Sequence, residues 1–184
     1  QRILSRLLSD NRQMPYVMKP VIGFSDITEL HQWSALHGCK SLHGLMCKHL
    51  TELPEDSEPV RLWRQAVEDG QLTYSIPAHP LNREGEIEGT LIGGNLSVLY
   101  GLQATPYSLQ STVSNLPSPI LFIEDIGERH YHIDRMMLNL KMSGVLAQIR
   151  GLVVGQFSDC DNDPSMSCTL YETIRRSVEE YDYP

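Results

Sequence analysis

Ser25 and Asp26 are the residues most suited to chemistry by type and setting. They stand in the stretch Gly23-Phe24-Ser25-Asp26-Ile27-Thr28, after the short apolar run Val21-Ile22 and before Leu30, Trp33 and Leu36, whose spacing of three suits one face of a helix. A serine held at a strand-to-helix turn presents its hydroxyl to a pocket while the first backbone N–H groups of the helix point at the same place. That is how an activated nucleophile is displayed. The same residues also fit a helix N-cap, with Ser25 or Asp26 accepting from the first turn and Glu29 near the third helical position. Local spacing leaves both readings open.

A second group with chemical potential is the acidic cluster Glu124, Asp125 and Glu128. It ends Pro119-Ile-Leu-Phe-Ile-Glu124, where four apolar residues in succession imply a strand buried on both faces. A carboxylate at the end of a buried strand is costly unless paired or solvated, and the position suits an acid that orients a base. Glu128 reads as the start of a solvated loop. His43 ends another short strand, and either faces the same pocket or caps a loop at the surface. His31, His37 and His49 lie on or near helices and read as packed or solvated. Gly93-Gly94 permits a close backbone approach, to a ligand or to another segment. The four cysteines, Cys39, Cys47, Cys160 and Cys168, form no CxxC, so a metal site is not expected and free thiols are. Asp161-Asn162-Asp163 lacks the glycine and glutamate of a calcium loop.

The elements that must position these groups follow from periodicity. The order is a strand over 20–24, a helix over Thr28 to His37 stopped by Gly38, and an extended piece from Cys39 to Leu42 ending at His43-Gly44. Strand, helix, strand implies a parallel α/β sheet, in which ligands sit beyond the carboxyl ends of the strands. Residues 50–59 read as a loop and 60–68 as a helix closed by Asp69-Gly70. A connector at Ile76 to Pro80 suggests a boundary near residue 80, with 1–80 holding the serine and 81–184 the acid. Beyond it come the strand at 119–124, one amphipathic helix over 133–148 with Met136, Met137 and Met142 filling the core, a buried strand over 151–157 and a helix over 170–180.

Composition narrows the classes. The 184 residues are 41% hydrophobic and 21% charged, as in a soluble globular protein. No run approaches the roughly 18 apolar residues of a membrane helix. A net charge of -8 with dispersed lysines and arginines argues against a nucleic-acid partner. The first residues are too short and charged for a signal peptide and resemble a helix entered part-way, so residues before Gln1 are expected.

Taken in order, Gly23 to Thr28, His43-Gly44, Gly93-Gly94-Asn95-Leu96, Leu121-Phe-Ile-Glu-Asp-Ile-Gly-Glu128, Ile133-Asp-Arg-Met136 and Gly151-Leu-Val-Val-Gly155 with Asp159-Cys160 resemble the LD-carboxypeptidases. These are serine peptidases of the group that also holds the microcin C immunity proteins. The resemblance implies the later part of a flavodoxin- or amidotransferase-like parallel α/β domain, followed by most of a smaller swivelling β/α domain. It implies a Ser-Glu-His hydrolase with Ser25 as nucleophile, Glu124 as triad acid and the Asp26 N–H in the oxyanion hole. The family's base lies in a Gly-His motif, and no Gly-His dipeptide occurs in this chain. The base is therefore expected beyond Pro184 and the second oxyanion donor before Gln1, and the fragment alone is expected to be inactive. The implied reaction is release of the terminal D-alanine from murein tetrapeptides in cytoplasmic cell-wall recycling, without metal or cofactor. The implied partner is a muropeptide, not nucleic acid or membrane, and a homodimer is compatible. The alternative is a non-catalytic or immunity-type relative that binds or cleaves a peptide-nucleotide.

Overall fold

The computed structural model describes residues 19–73 and 75–184. The helix expected at the first residues lies outside the described residues. Strands β1 (Val21–Gly23) and β2 (Ser41–His43) pair in parallel, with Gly23 opposite His43. A single 3-10 turn, Ser25–Ile27, leads into helix α1 (Thr28–Leu36), and Gly38, at φ +67°, ends it. Helices α2 (Cys47–Glu52) and α3 (Glu58–Glu68) follow. The loop expected over 50–59 is therefore shorter than its proline content suggested. Pro59 sits in the first turn of α3, where a missing N–H costs nothing.

Residues 71–73 and 75–89 form neither helix nor strand. The second sheet has the order β3-β4-β5, all parallel, built from β3 (Thr90–Asn95), β4 (Pro119–Ile126) and β5 (Gly151–Ser158). Helices α4 (Leu96–Gly101) and α5 (Leu109–Asn115) connect β3 to β4, and α6 (His130–Met142) and α7 (Val145–Gln148) connect β4 to β5. Helix α8 (Leu170–Ser177) closes the described fold, with Thr169 and Glu172 forming a capping box. The fold is α/β with parallel strands throughout. Its core gathers Leu96, Leu121, Ile123, Ile133, Met137 and Leu146 between the sheet and its helices.

Several expectations need correction. Residues 133–148 are not one helix, because Gly144 at φ +75° breaks the run into α6 and α7. Met142, beside the break, is 80% exposed and fills no core. Strand β4 is fully buried on one face only, its residues alternating buried and half-buried, and β5 leaves Val153 and Val154 exposed at the sheet's edge. Helix α5 was not expected at all, although Ser108 caps it by accepting from the Ser111 N–H.

Helix α1 joins the two sheets. Its buried positions are polar: Thr28, Glu29, His31, Gln32 and Ser34. The Asn95 N–H donates to Thr28 Oγ1 at 3.0 Å, and Thr112 Oγ1 donates to Gln32 Oε1 at 3.0 Å. Gly94, at φ +139°, makes this approach possible, since a Cβ there would stand 2.5 Å from Thr28 Oγ1. The paired glycines thus serve contact with another segment of the chain.

Candidate active site

The turn after β1 is built for display. Ser25 adopts φ +57°, a left-handed conformation uncommon for a residue with a side chain and typical of a serine carried on a sharp strand-to-helix turn. Neither Ser25 nor Asp26 caps the helix. The positions preceding the turn and α1 are Phe24 and Ile27, with no side-chain cap bond at either. Among the described residues, no hydrogen-bond partner of Ser25 Oγ is seen. Gly23, at φ +155°, lets Ile27 fold back over it, since a Cβ would lie 2.8 Å from Ile27 Cγ1. Its carbonyl is held twice, by His31 Nε2 at 3.0 Å and by the Gly44 N–H at 3.1 Å.

Glu124 lies near the end of β4, opposite Asn95 in register. Its carboxyl is pushed above the usual range, first by burial and second by the neighbouring Asp125 charge, with the Asn95 amide opposing. Asp125 is itself buried and accepts from the Ser97 N–H at 2.8 Å, Asn95 Nδ2 at 2.9 Å and the Ile126 N–H at 2.9 Å. Burial raises its carboxyl too, against those bonds. Asn95 meanwhile caps α4 by accepting from the Val98 N–H at 3.1 Å. Asp125 therefore belongs to the interior, where it fixes Asn95 and the start of α4, and not to a solvated loop.

His43 turns its ring toward Glu124. Its Nε2 stands 4.0 Å from Glu124 Oε1, and its ring meets Phe122 edge-on at 5.0 Å and lies 5.8 Å from His31. Burial, followed by the His31 charge, lowers its pKa to about 4, so the ring is neutral at pH 7. Since His43 is paired with Gly23 and touches Glu124, the carboxyl ends of β1 and β4 converge on one place. The other histidines have different duties. His130 is buried, with Nε2 2.8 Å from Thr173 Oγ1, and His132 pairs with Glu128 at 2.8 Å. His49 packs its ring on Phe24 at 5.2 Å. The sequence alone leaves His43 open between two places and gives no sign of Thr28. A strand-terminal histidine is a usable signal, whereas the Thr28 contact is made across the fold.

Among the described residues no group of three or more His, Cys, Asp or Glu is placed to hold a metal. All four cysteines are free thiols.

A parallel α/β fold that brings a serine turn and a half-buried carboxyl together at strand ends is a common setting for hydrolytic sites. Residues 88–184 match the family model of the LD-carboxypeptidase C-terminal domain, and the chain belongs to the LD-carboxypeptidase family. It is 37% identical over 145 residues to a probable murein peptide carboxypeptidase of Bacillus subtilis, covering 75% of this chain and 43% of that protein. It is 31% identical over 149 residues to the murein tetrapeptide carboxypeptidase of Pseudomonas aeruginosa, covering 77% and 47%. The chain thus spans about half the length of the curated relatives it matches. Among solved structures, the muramoyltetrapeptide carboxypeptidase from Oxalobacter formigenes superposes with a TM-score of 0.77 at 26% identity, covering 90% of this chain and 56% of that one. The microcin C7 self-immunity protein MccF superposes with a TM-score of 0.70 at 21% identity, covering 90% and 57%, a likeness of fold alone.

Proposed function

We propose that the full-length protein is a serine carboxypeptidase that hydrolyses the L,D-peptide bond and releases the terminal D-alanine of murein tetrapeptides in cell-wall recycling. The observation that carries this reading is the convergence of the Ser25 turn and Glu124, joined through His43 at 4.0 Å from the acid. In the proposed reaction Ser25 Oγ attacks the scissile carbonyl while a histidine takes its proton and returns it to the leaving D-alanine. The Asp26 N–H stabilises the oxyanion, and Glu124 fixes the tautomer of the base and stabilises the imidazolium. The base lies in the length that the relatives have and this chain does not span. None of the described histidines makes a hydrogen bond to Ser25, which supports seeking it there. We also propose that the chain divides near residue 80 into a part carrying the nucleophile and a part carrying the acid.

Among the described residues no helix is long and apolar enough to cross a membrane. Work in the cytoplasm belongs to the proposal through the family resemblance. The immunity-type alternative is favoured by no separate observation here, since the likeness to MccF bears on fold alone.

The test is incubation of full-length protein with a murein tetrapeptide and measurement of free D-alanine. Ser25→Ala and Glu124→Gln are each expected to lower turnover by roughly 10³-fold or more. Release that persists undiminished in Ser25→Ala overturns the assignment of the nucleophile.

A further inference from the structure

Two buried polar atoms at the site have no hydrogen-bond partner among the described residues: Glu124 Oε1 and His43 Nδ1. A buried carboxylate oxygen without a donor is costly, and the feature calls for an explanation. The group facing it is the His43 ring, whose Nε2 is 4.0 Å away. That separation exceeds a hydrogen bond by about 1 Å, and contacts in sites free of substrate commonly tighten on binding. An acceptor needs a donor, so the tautomer that serves Glu124 carries its proton on Nε2 and leaves Nδ1 as a bare lone pair.

Resting on the hydrolase reading above, we propose that His43 is a positioning residue for the acid. As a neutral N–H donor it holds Oε1 of Glu124, leaving the second carboxylate oxygen to face the catalytic base. Neutrality matters to this role. The acid must keep its negative charge uncompensated to stabilise an imidazolium, and a cationic neighbour would neutralise it, whereas a neutral donor favours the ionised carboxyl without adding a charge. The surroundings keep the ring uncharged. Its neighbours are Phe122 on β4, Phe24 before the serine turn and His31 on α1, itself lowered by burial. The carboxyl facing the ring is that of Glu124, with Asp125 next along β4 and Glu29 buried on α1. His43 is also a poor candidate for the base itself, since a proton acceptor with a pKa of about 4 is too weak for work near neutral pH.

The test compares His43→Phe, which keeps a ring between Phe24 and Phe122 but has no donor, with His43→Gln, which keeps a donor, both in the full-length protein. If the proposal holds, His43→Phe lowers kcat by roughly 10- to 100-fold with KM within about twofold and moves the acid limb of the pH profile upward, and His43→Gln recovers most of the loss. A second readout does not need turnover. The ¹³C titration of the Glu124 carboxyl, assigned with Glu124→Gln, moves to higher pH in His43→Phe and returns in His43→Gln. Should His43→Phe fail to fold, as judged by circular dichroism, His43→Leu takes its place. Wild-type kinetics and an unmoved Glu124 titration in the donor-free variant overturn the proposal. So does a loss beyond about 10³-fold in both folded variants, which makes His43 the base. A wild-type protein that releases no D-alanine sinks the hydrolase reading instead, and the carboxyl titration then decides the role of His43 alone.

Discussion

Replacing Thr28 by valine removes one oxygen, keeps the branched shape and leaves a specific debt inside the protein. Thr28 is fully buried, and its Oγ1 is the acceptor of the Asn95 N–H at 3.0 Å. In Thr28→Val that N–H stays buried without an acceptor, which costs about 1–3 kcal/mol. With an m value of about 3 kcal/mol/M, a loss near 2 kcal/mol moves the urea midpoint down by roughly 0.7 M. Thr28→Ser keeps the oxygen and loses a methyl, about 1 kcal/mol. Stability alone separates the pair only modestly, so amide exchange supplies the second assay. The Asn95 amide is expected to exchange faster in Thr28→Val and to stay protected in Thr28→Ser. Because α1 begins where the Ser25 turn ends, Thr28→Val is also expected to lower D-alanine release more than its effect on stability explains. A valine variant within about 0.5 kcal/mol of wild type, with the Asn95 amide still protected, refutes the claim that this bond ties the two sheets.

Acid weakens the native state through His43. The unfolded imidazole takes its proton near pH 6.5 and the native one only near 4, so the stabilisation is complete above 6.5 and lost as pH falls toward 4. That span sets a ceiling of about 3 kcal/mol, and with the side chain 27% exposed the effect is on the order of 1–2 kcal/mol. Glu124 and Asp125, raised by burial, act in the opposite sense, so the comparison to make is of urea midpoints from pH 7 to 4.5 in wild type and His43→Phe, with the steeper fall in wild type. Gly23→Ala forces a Cβ to 2.8 Å from Ile27 Cγ1 at φ +155° and is expected to cost about 1–3 kcal/mol and most of the activity. An alanine variant with wild-type melting and turnover would show that the serine turn tolerates another path. Arg83 donates to the carbonyls of Tyr181, Tyr183 and Glu179, while the Leu152 N–H donates to Pro184 O. Arg83→Gln is expected to speed exchange of the Leu152 amide, and an unchanged rate counts against the guanidinium as the clasp of this end.

Local order was readable where one residue type decides the backbone. Gly38 and Gly70 marked helix ends, and both take positive φ. Gly144 offered the same signal and was overridden by an apolar pattern that continued past it. Burial was harder to read. The run Ile120 to Ile123 looks uniformly apolar, yet one face of β4 is only half covered, and the exposed valines of β5 depend on what lies beside an edge strand. At the site, the local sequence left Ser25 between nucleophile and cap because both use the same residue types at the same spacing. The cap reading fails on φ at Ser25 and on the absence of a side-chain cap bond, neither of which has a sequence signature. His43 and Thr28 meet residues far along the chain, Glu124 and Asn95, and contacts made across the fold leave no local signal.

The polar stitching of α1 has a consequence for the stretch 75–78, which is exposed throughout. The serine turn is held to β3 by Thr28 and to α5 by Gln32, both upstream of that stretch, so covalent continuity there is a tether and not a brace. Exposed loop backbone of this kind is where proteases nick and insertions are tolerated. A cut between Ser75 and Ile76 should leave two pieces that stay associated, which makes this junction the place to divide the gene for a split, self-reassembling reporter.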